Sequence, residues 1–326
     1  MSSPAVIRSL AGVLAGAALA GGAAAQNFPT KPIRMVVGFP PGGVVDIVAR
    51  TMAQPMGDIL GQQVVVDARP GANGQIGADL IAKAAPDGYT IGLVSISNLV
   101  LSVHLSANPP YQTLRDFTPL SNVGLVPFVV AVHPAVPARS LKELIALAKK
   151  QPGKLNFGSP GVGGLQHLTI EMINSMAGVQ LQHVPYKGTG PAMTDVMGGQ
   201  IDGVIAGIAG MVSASKSGKL RILAITSEVR SPALPDVPTA KEQGLPGLVV
   251  VNWYALVGPA KLPPAIANTL HATIVKAANL PATREKFDAA GVEVKTDATP
   301  AAFAKYVSDE FTRWGKAVKD AGVKLE

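Results

Sequence analysis

The chain has 326 residues, contains no cysteine and carries a formal net charge of +7, from 28 basic and 21 acidic side chains. Lys and Arg are scattered and aromatic residues make up only 5% of the chain. This argues against nucleic acid as a partner, because such a surface needs clustered cations or stacking rings. The lack of cysteine excludes disulfides and a lipid-anchored cysteine, and the length suits one or two domains. The basic balance favours small anionic ligands.

Residues 1–25 have the composition of a secretory signal peptide. Arg8 is their only charge, an apolar run follows from Leu10 to Ala20, and Ala23-Ala24-Ala25 fits the small-x-small cleavage pattern. The apolar run is shorter than the ~20 residues that a membrane anchor needs. We therefore expect cleavage between Ala25 and Gln26 and a soluble, periplasmic mature chain.

The first predicted element is a buried strand, Ile33–Val37, which ends in the glycine-rich turn Gly38–Gly43. A helix follows, with apolar residues at offsets 0, 3, 4, 8 and 12 on one face: Val44, Ile47, Val48, Met52 and Met56. A helix that starts directly after such a turn presents free N–H groups and the positive end of its dipole, which suits an anion. A purely structural strand-to-helix turn is the alternative, and this stretch alone does not separate the two.

Strands and helices then alternate, which predicts an α/β protein with a parallel sheet. The next elements are a second buried strand (Gln63–Asp67), a helix (Gln75–Ala84) and a strand (Tyr89–Ile96). Ser95, Ser97 and Asn98 lie at the end of that strand, on the edge where ligands of such sheets bind. An irregular, Pro-rich passage covers Asn108–Pro119.

The middle of the chain repeats this organisation. A strand, Val123–His133, precedes a helix, Leu141–Lys150, that opens with a capping box at Ser140. Next come the strand Leu155–Phe157, a second glycine loop over Gly158–Gly164, and the helix Leu165–Ala177. A third turn, Lys187–Gly190, precedes the helix Pro191–Met197, where Pro191 suits the first helical position. The remaining predicted elements are strands at Gln180–Pro185, Gln200–Ala206, Lys219–Thr226, Trp253–Val257 and Val292–Lys295, and helices at Met211–Lys216, Ala265–Ala278, Pro281–Ala290 and Pro300–Asp320.

Catalytic, metal and nucleotide motifs are absent from the sequence. The five histidines have no paired ligand spacing, and no G-x-S-x-G, G-x-G-x-x-G or Walker A motif occurs. We therefore expect no metal and no cofactor. Ser159 and His167 share the second glycine loop and its helix, so a Ser–His nucleophile is conceivable there. No carboxylate is placed to orient it, and a loop serine more commonly donates a hydrogen bond.

Several segments, in order along nearly the whole mature chain, resemble one family of periplasmic proteins. They are Phe39-Pro40-Pro41-Gly42-Gly43 with Asp46, Arg69-Pro70-Gly71-Ala72-Asn73-Gly74, Ala85-Pro86-Asp87-Gly88-Tyr89-Thr90, Gly158-Ser159-Pro160-Gly161 with His167, Val184-Pro185-Tyr186-Lys187-Gly188 and Pro235-Asp236-Val237-Pro238-Thr239. They resemble the substrate-binding proteins of tripartite tricarboxylate transporters, the Bug receptors. The resemblance implies a type II periplasmic-binding-protein fold, in which two α/β domains enclose a small carboxylate between two glycine loops.

The resemblance also implies a domain division and a set of ligand contacts. Domain 1 would comprise residues 26–123 and 250–326, and domain 2 residues 124–249. The expected ligand-binding residues are Phe39, Pro41, Gly42, Gly43, Val45, Asp46, Ser95, Ser97, Asn98, Ser159, Gly161, Gly163, Gly164, His167, Lys187, Thr189 and Asp195. Val45 and Gly164 stand where relatives often carry Ser or Thr, so the polar pattern of a relative's ligand cannot be transferred.

The function expected from these features is that of a monomeric receptor that closes on a di- or tricarboxylate, an amino acid or an aromatic acid. It would deliver this ligand to integral-membrane transporter subunits. An enzyme acting on a small anion with the same fold is the first alternative, and a structural or adhesion module is the second.

Overall fold

The computed structural model of the protein describes residues 28–186 and 188–321. The predicted signal peptide and Lys187 lie outside these residues. The strands are β1 (Ile33–Val37), β2 (Val64–Ala68), β3 (Thr90–Ser95), β4 (Phe117–Val132), β5 (Asn156–Ser159), β6 (Gln182–Pro185), β7 (Gly203–Gly207), β8 (Arg221–Ile225), β9 (Val251–Pro259) and β10 (Glu293–Val294). The helices are α1 (Val44–Leu60), α2 (Gln75–Ala82), α3 (Ser102–Leu105), α4 (Leu141–Lys150), α5 (Leu165–Ala177), α6 (Thr189–Met197), α7 (Ile208–Lys216), α8 (Pro264–Ala278), α9 (Pro281–Ala289) and α10 (Pro300–Ala321).

The strands form a continuous mixed sheet in the order β2-β1-β3-β9-β4-β7-β5-β6, with β8 and β10 also paired to β4. Two groups of three strands, β2-β1-β3 and β7-β5-β6, are parallel within themselves. The long strands β4 and β9 join these groups through antiparallel pairs. This arrangement confirms the predicted α/β class.

Strand β4 changes partners along its length. Its residues from Phe117 to Pro127 pair with β9, and its residues from Phe128 to Val132 pair with β7. The change of partner therefore falls between Pro127 and Phe128, a few residues beyond the boundary at Val123 that the sequence suggests. The division into two domains itself remains a prediction.

Most strand residues are buried on both faces, as expected where helices cover a sheet on both sides. Two predictions about burial were wrong. Strand β2 is an edge strand rather than a buried one, and Val65 is 49% exposed. Helix α1 buries Val48, Met52 and Met56, but Val44 and Ile47 in its first turn are more than one-third exposed.

Several predicted boundaries also moved. Strand β4 begins at Phe117, so it includes residues that the sequence assigned to the irregular Pro-rich passage. Helix α6 begins at Thr189, which places Pro191 in its first turn but not at its first position. Among residues 28–186 and 188–321, no helix is both long enough and apolar enough to cross a bilayer.

Candidate functional site

The first glycine loop carries the chain from β1 into α1 and leaves the start of that helix open. The first helical hydrogen bond runs from Ile47 N–H to the Gly43 carbonyl oxygen at 3.0 Å. The N–H groups of Val44, Val45 and Asp46 therefore precede any intrahelical acceptor. No side chain within the described residues caps this helix end, and the loop residues before it are exposed. The geometry leaves backbone donors and a positive dipole end available to an anion.

Asp46 does not add a free negative charge to this loop. Its side chain is buried and accepts hydrogen bonds from Arg50 Nε at 2.9 Å and from the Gly42 N–H at 3.0 Å. Burial alone would raise the pKa of Asp46, but these hydrogen bonds outweigh it and hold the pKa below its usual value. Asp46 therefore holds the loop through the Gly42 N–H, and Arg50 compensates its charge.

The turn Arg69–Gly74 packs against the first loop. A β carbon at Gly38 would come within 2.5 Å of the Gly74 carbonyl oxygen, and one at Gly74 would meet the Phe39 ring at 2.8 Å. Gly74 also has a φ of 86°, a conformation that glycine adopts without steric cost. These contacts explain why the turn Arg69–Gly74 lies directly against the first loop.

Ser95 and Asn98, in the polar corner after β3, are buried within the protein. The Asn98 side chain is fully buried and accepts a hydrogen bond from the Ser95 N–H at 2.8 Å. Ser95 is 1% exposed, whereas Ser97 is partly exposed. Ser95 and Asn98 therefore stabilise the corner beside the first loop, and the ligand contacts predicted for this corner remain untested.

The second glycine loop has the same relation to α5 as the first has to α1. Leu168 N–H donates to the Gly164 carbonyl oxygen at 3.0 Å, so the N–H groups of Leu165, Gln166 and His167 precede the first intrahelical acceptor. No side chain in the described part of the chain caps this end. Val162, at the tip of the loop, is 58% exposed. This loop is a second candidate anion seat.

The histidine partner of Ser159 differs from the one that the sequence suggests. The Ser159 oxygen lies 2.6 Å from Nε2 of His183, on the neighbouring strand β6, and 2.9 Å from the Gly161 carbonyl oxygen. His167 instead accepts a hydrogen bond from the Gly163 N–H at its Nδ1 atom, at 3.0 Å. The Ser159–His167 pair that the sequence made conceivable does not form. Ser159 pairs in register with Pro185 of β6, and His183, two residues earlier on that strand, contacts the serine. Ser159 is 0% exposed, which leaves its hydroxyl no open side for attack on a substrate.

The third turn packs against the second loop. Gly188 N–H donates to the Pro160 carbonyl oxygen at 3.1 Å, and Tyr186 N–H donates to the Ser159 carbonyl oxygen at 2.9 Å. The Tyr186 hydroxyl donates to the Asp195 carboxylate at 2.7 Å; burial and this contact raise the pKa of Tyr186 to about 12. The predicted residues Thr189 and Asp195 therefore belong to the same structural unit as the second loop.

Two side chains that hold these loops, Arg50 and His183, were not predicted from the sequence. Arg50 follows Asp46 by four residues on a helix, and this spacing is typical of an ion pair, so the contact could have been predicted from the sequence. His183 carried no local signal, because its contact with Ser159 depends on strand pairing across 24 residues. Among the described residues, no cluster of three or more His, Asp or Glu side chains could hold a metal ion.

Comparison with known proteins agrees with this architecture. The profile of the tripartite tricarboxylate transporter family receptor (TctC) matches residues 48–323. Protein BugT of Bordetella pertussis is 40% identical over 315 residues, covering 96% of each chain. The structure of the periplasmic binding protein BugD matches with a TM-score of 0.75 and 35% identity, covering 92% of this chain and 100% of that one. An R. palustris protein solved with adipate matches with a TM-score of 0.77 and 30% identity, covering 91% and 99%. The fold is that of the periplasmic binding proteins of this type, and the chain belongs to the tripartite tricarboxylate transporter receptor family.

Proposed function

We propose that this protein is a periplasmic receptor that binds a small carboxylate and delivers it to the membrane subunits of a tripartite transporter. The observation that carries the proposal is the pair of open helix N-termini, at α1 and α5, each preceded by a glycine loop. Backbone N–H groups and the positive end of each helix dipole favour a carboxylate at such positions. The adipate in the related R. palustris structure is a dicarboxylate, which supports the same chemistry.

The ligand binds between the two loops, with one anionic group at each helix start or with one group shared by both. The predicted contacts of both loops, together with those of the third turn, surround it. Lys187, whose side chain lies outside the described residues, supplies a compensating positive charge in this proposal. Because the loops follow strands from the two halves of the sheet, a ligand that touches both favours closure by its higher affinity for the closed state.

A thermal-shift screen of mono-, di- and tricarboxylates, amino acids and aromatic acids tests the proposal. At 100 times its dissociation constant, a true ligand should stabilise the protein by about 2.7 kcal/mol. Its amide should bind at least tenfold more weakly, a loss of about 1.4 kcal/mol. Equal affinity for acid and amide would contradict anion binding by the loops, and no shift with any acid would favour a structural or adhesion role.

The receptor function implies that the ligand leaves unchanged. The family consists of receptors, and Ser159, the one nucleophile candidate from the sequence, has a buried hydroxyl that contacts the loop backbone. Mass spectrometry of the ligand before and after prolonged incubation with the protein separates the two classes. Recovery of the original compound supports the receptor, whereas a product that accumulates with time would identify an enzyme.

Export and monomeric state complete the proposal. The mature chain should start at Gln26, and it should elute from a size-exclusion column with light-scattering detection at the mass of one chain. Intact-mass measurement of the periplasmic fraction gives the start directly. A full-length chain found only in the cytoplasm would contradict export, and a stable dimer at micromolar concentration would contradict the monomer.

A further inference from the structure

Two histidines contact the second glycine loop, one at each end. His183, on β6, contacts the Ser159 hydroxyl at 2.6 Å, where the loop begins. His167, on α5, accepts the Gly163 N–H at 3.0 Å, where the loop ends. His167 is buried and His183 is partly buried. His183 lies 24 residues from Ser159 in the sequence, whereas His167 lies four residues after Gly163. The loop that precedes α5 is thus anchored from two different elements of the fold.

The hydrogen bonds around Ser159 form a closed chain. The Gly161 N–H donates to the Ser159 oxygen at 3.3 Å, and the Ser159 hydroxyl lies 2.9 Å from the Gly161 carbonyl oxygen. When the hydroxyl donates to that carbonyl, His183 must donate from Nε2 to the serine oxygen. Every polar group of the serine is then satisfied, and its orientation fixes the backbone of Gly161, which has a φ of 157°.

The two imidazole rings also stack on each other. Their centroids are 3.8 Å apart, and their planes differ by 14°. Two cationic rings at this separation would repel strongly in a partly buried setting. His167 must also be unprotonated at Nδ1 to accept the Gly163 N–H. The arrangement is therefore satisfied when both rings are neutral, with the Nε2 proton of His167 directed to Glu171, 3.7 Å away.

We propose that His183 and His167 are positioning residues that clamp the second glycine loop in its ligand-binding shape, His183 as a donor from Nε2 and His167 as an acceptor at an unprotonated Nδ1. Neither ring needs to touch the ligand. The clamp rests on the proposed function for its effect on affinity, but its effect on the loop is independent of any ligand.

Burial favours the neutral form of His183, and the charged neighbour Glu171 opposes it. Burial and the neighbouring His167 ring lower the pKa of His183 to about 4, although Glu171 opposes them. The contact with His167 lowers the pKa of Glu171, so this carboxylate stays ionised beside the pair. The titratable groups that act on His183 are thus His167 and Glu171, both on α5.

The test compares four variants: His183→Ala, His183→Gln, His167→Asn and the control His133→Ala. Glutamine can place a donor near the position of His183 Nε2, and asparagine can place an acceptor near that of His167 Nδ1, and neither titrates. His133 makes an equivalent local contact, accepting the Ala135 N–H at 3.2 Å, but it lies outside the second loop. Circular dichroism first confirms that each variant is folded.

Hydrogen exchange of the ligand-free protein is the first readout. His183→Ala should raise the exchange rate of amides in residues 159–164 at least tenfold, whereas His183→Gln, His167→Asn and His133→Ala should leave it within about threefold. Unchanged exchange in folded His183→Ala would overturn the proposal, whether or not a ligand is known.

Calorimetry with the best carboxylate from the screen is the second readout. His183→Ala should weaken binding at least tenfold, and His183→Gln should restore it to within about threefold of the parent. Parent-like binding by His183→Ala would overturn the clamp while leaving the receptor function intact. Failure of the parent itself to bind any carboxylate would contradict the receptor function, and the exchange result would still decide the clamp.

Discussion

Gly43 is the residue whose substitution most cleanly separates a ligand loop from a structural turn. Its φ is −80° and its ψ is 168°, an extended conformation that any residue adopts. Among the described residues, a β carbon there would have only the Pro40 carbonyl oxygen within 4 Å, at 3.7 Å. A non-polar residue is a poorer N-cap than glycine by roughly 0.5–1 kcal/mol, and the reduced entropy of the unfolded chain offsets about as much. We therefore expect Gly43→Val to change the free energy of unfolding by less than about 1 kcal/mol.

Binding should respond very differently. The valine methyl groups would occupy the space in front of the first turn of α1, where the proposed site places the carboxylate against the N–H groups of Val44 and Val45. Calorimetry should show at least a tenfold loss of affinity, or about 1.4 kcal/mol. Gly42→Ala is the matched control for stability, because Gly42 has a φ of 85° and should lose about 1–2 kcal/mol. Parent-like binding by folded Gly43→Val would refute the first loop as a ligand site.

The remaining predictions concern charge, pH and export. Val162→Asp places a carboxylate at the tip of the second loop and should weaken anion binding at least threefold. The control Val229→Asp changes a residue after β8 that is 71% exposed and should leave the affinity unchanged. Equal affinities of the two variants would contradict this prediction. Burial beside His167 lowers the pKa of His183 to about 4, below the value of about 6.5 in an unfolded chain. The unfolded chain therefore binds more protons than the folded protein between these pH values, so the free energy of unfolding falls as the pH drops through this range. Urea titrations at pH 7 and pH 4.5 should show a smaller fall for His183→Gln than for the parent. Edman sequencing of secreted protein should begin at Gln26, and any other start would refute the predicted cleavage site.

The sequence predicts the frame of the fold because its signals there are local. The starts of α1 at Val44 and α5 at Leu165 follow from glycine loops that interrupt clear apolar patterns, and both agree with the structure. The serine half of the capping box at Ser140 also forms: Glu143 N–H donates to the serine oxygen at 3.1 Å, while the Glu143 carboxylate accepts the Arg139 N–H at 2.7 Å. Such features need only a few neighbouring residues to be recognised.

The wrong predictions share a different cause, which is dependence on distant parts of the chain. Strand β4 extends back to Phe117 because β9 pairs with it, although Pro119 and its neighbours favour a loop. Val65 is exposed because β2 lies at the sheet edge, a position that alternation within the strand does not reveal. Local propensity does not contain this information.

In the candidate site, too, local features were predictable and contacts between distant residues were not. Both glycine loops and the helix starts that follow them were predictable, but the contacts of the polar side chains within them were not. Asp46 is paired with Arg50, and the Ser159 hydroxyl contacts His183 and its own loop. Asp46 and Ser159, two of the predicted ligand contacts, therefore hold the loops, and binding by the backbone remains a proposal.

Carboxylate binding by the two helix starts can be observed in a crystal structure of the protein with the highest-affinity carboxylate from the screen. We expect carboxylate oxygens within about 3.2 Å of N–H groups in the first turns of α1 and α5. Val44 and Val45 should supply the donors at the first loop, and Leu165 and Gln166 those at the second. A carboxylate bound elsewhere, or one held only by side chains with both helix starts unoccupied, would contradict the account.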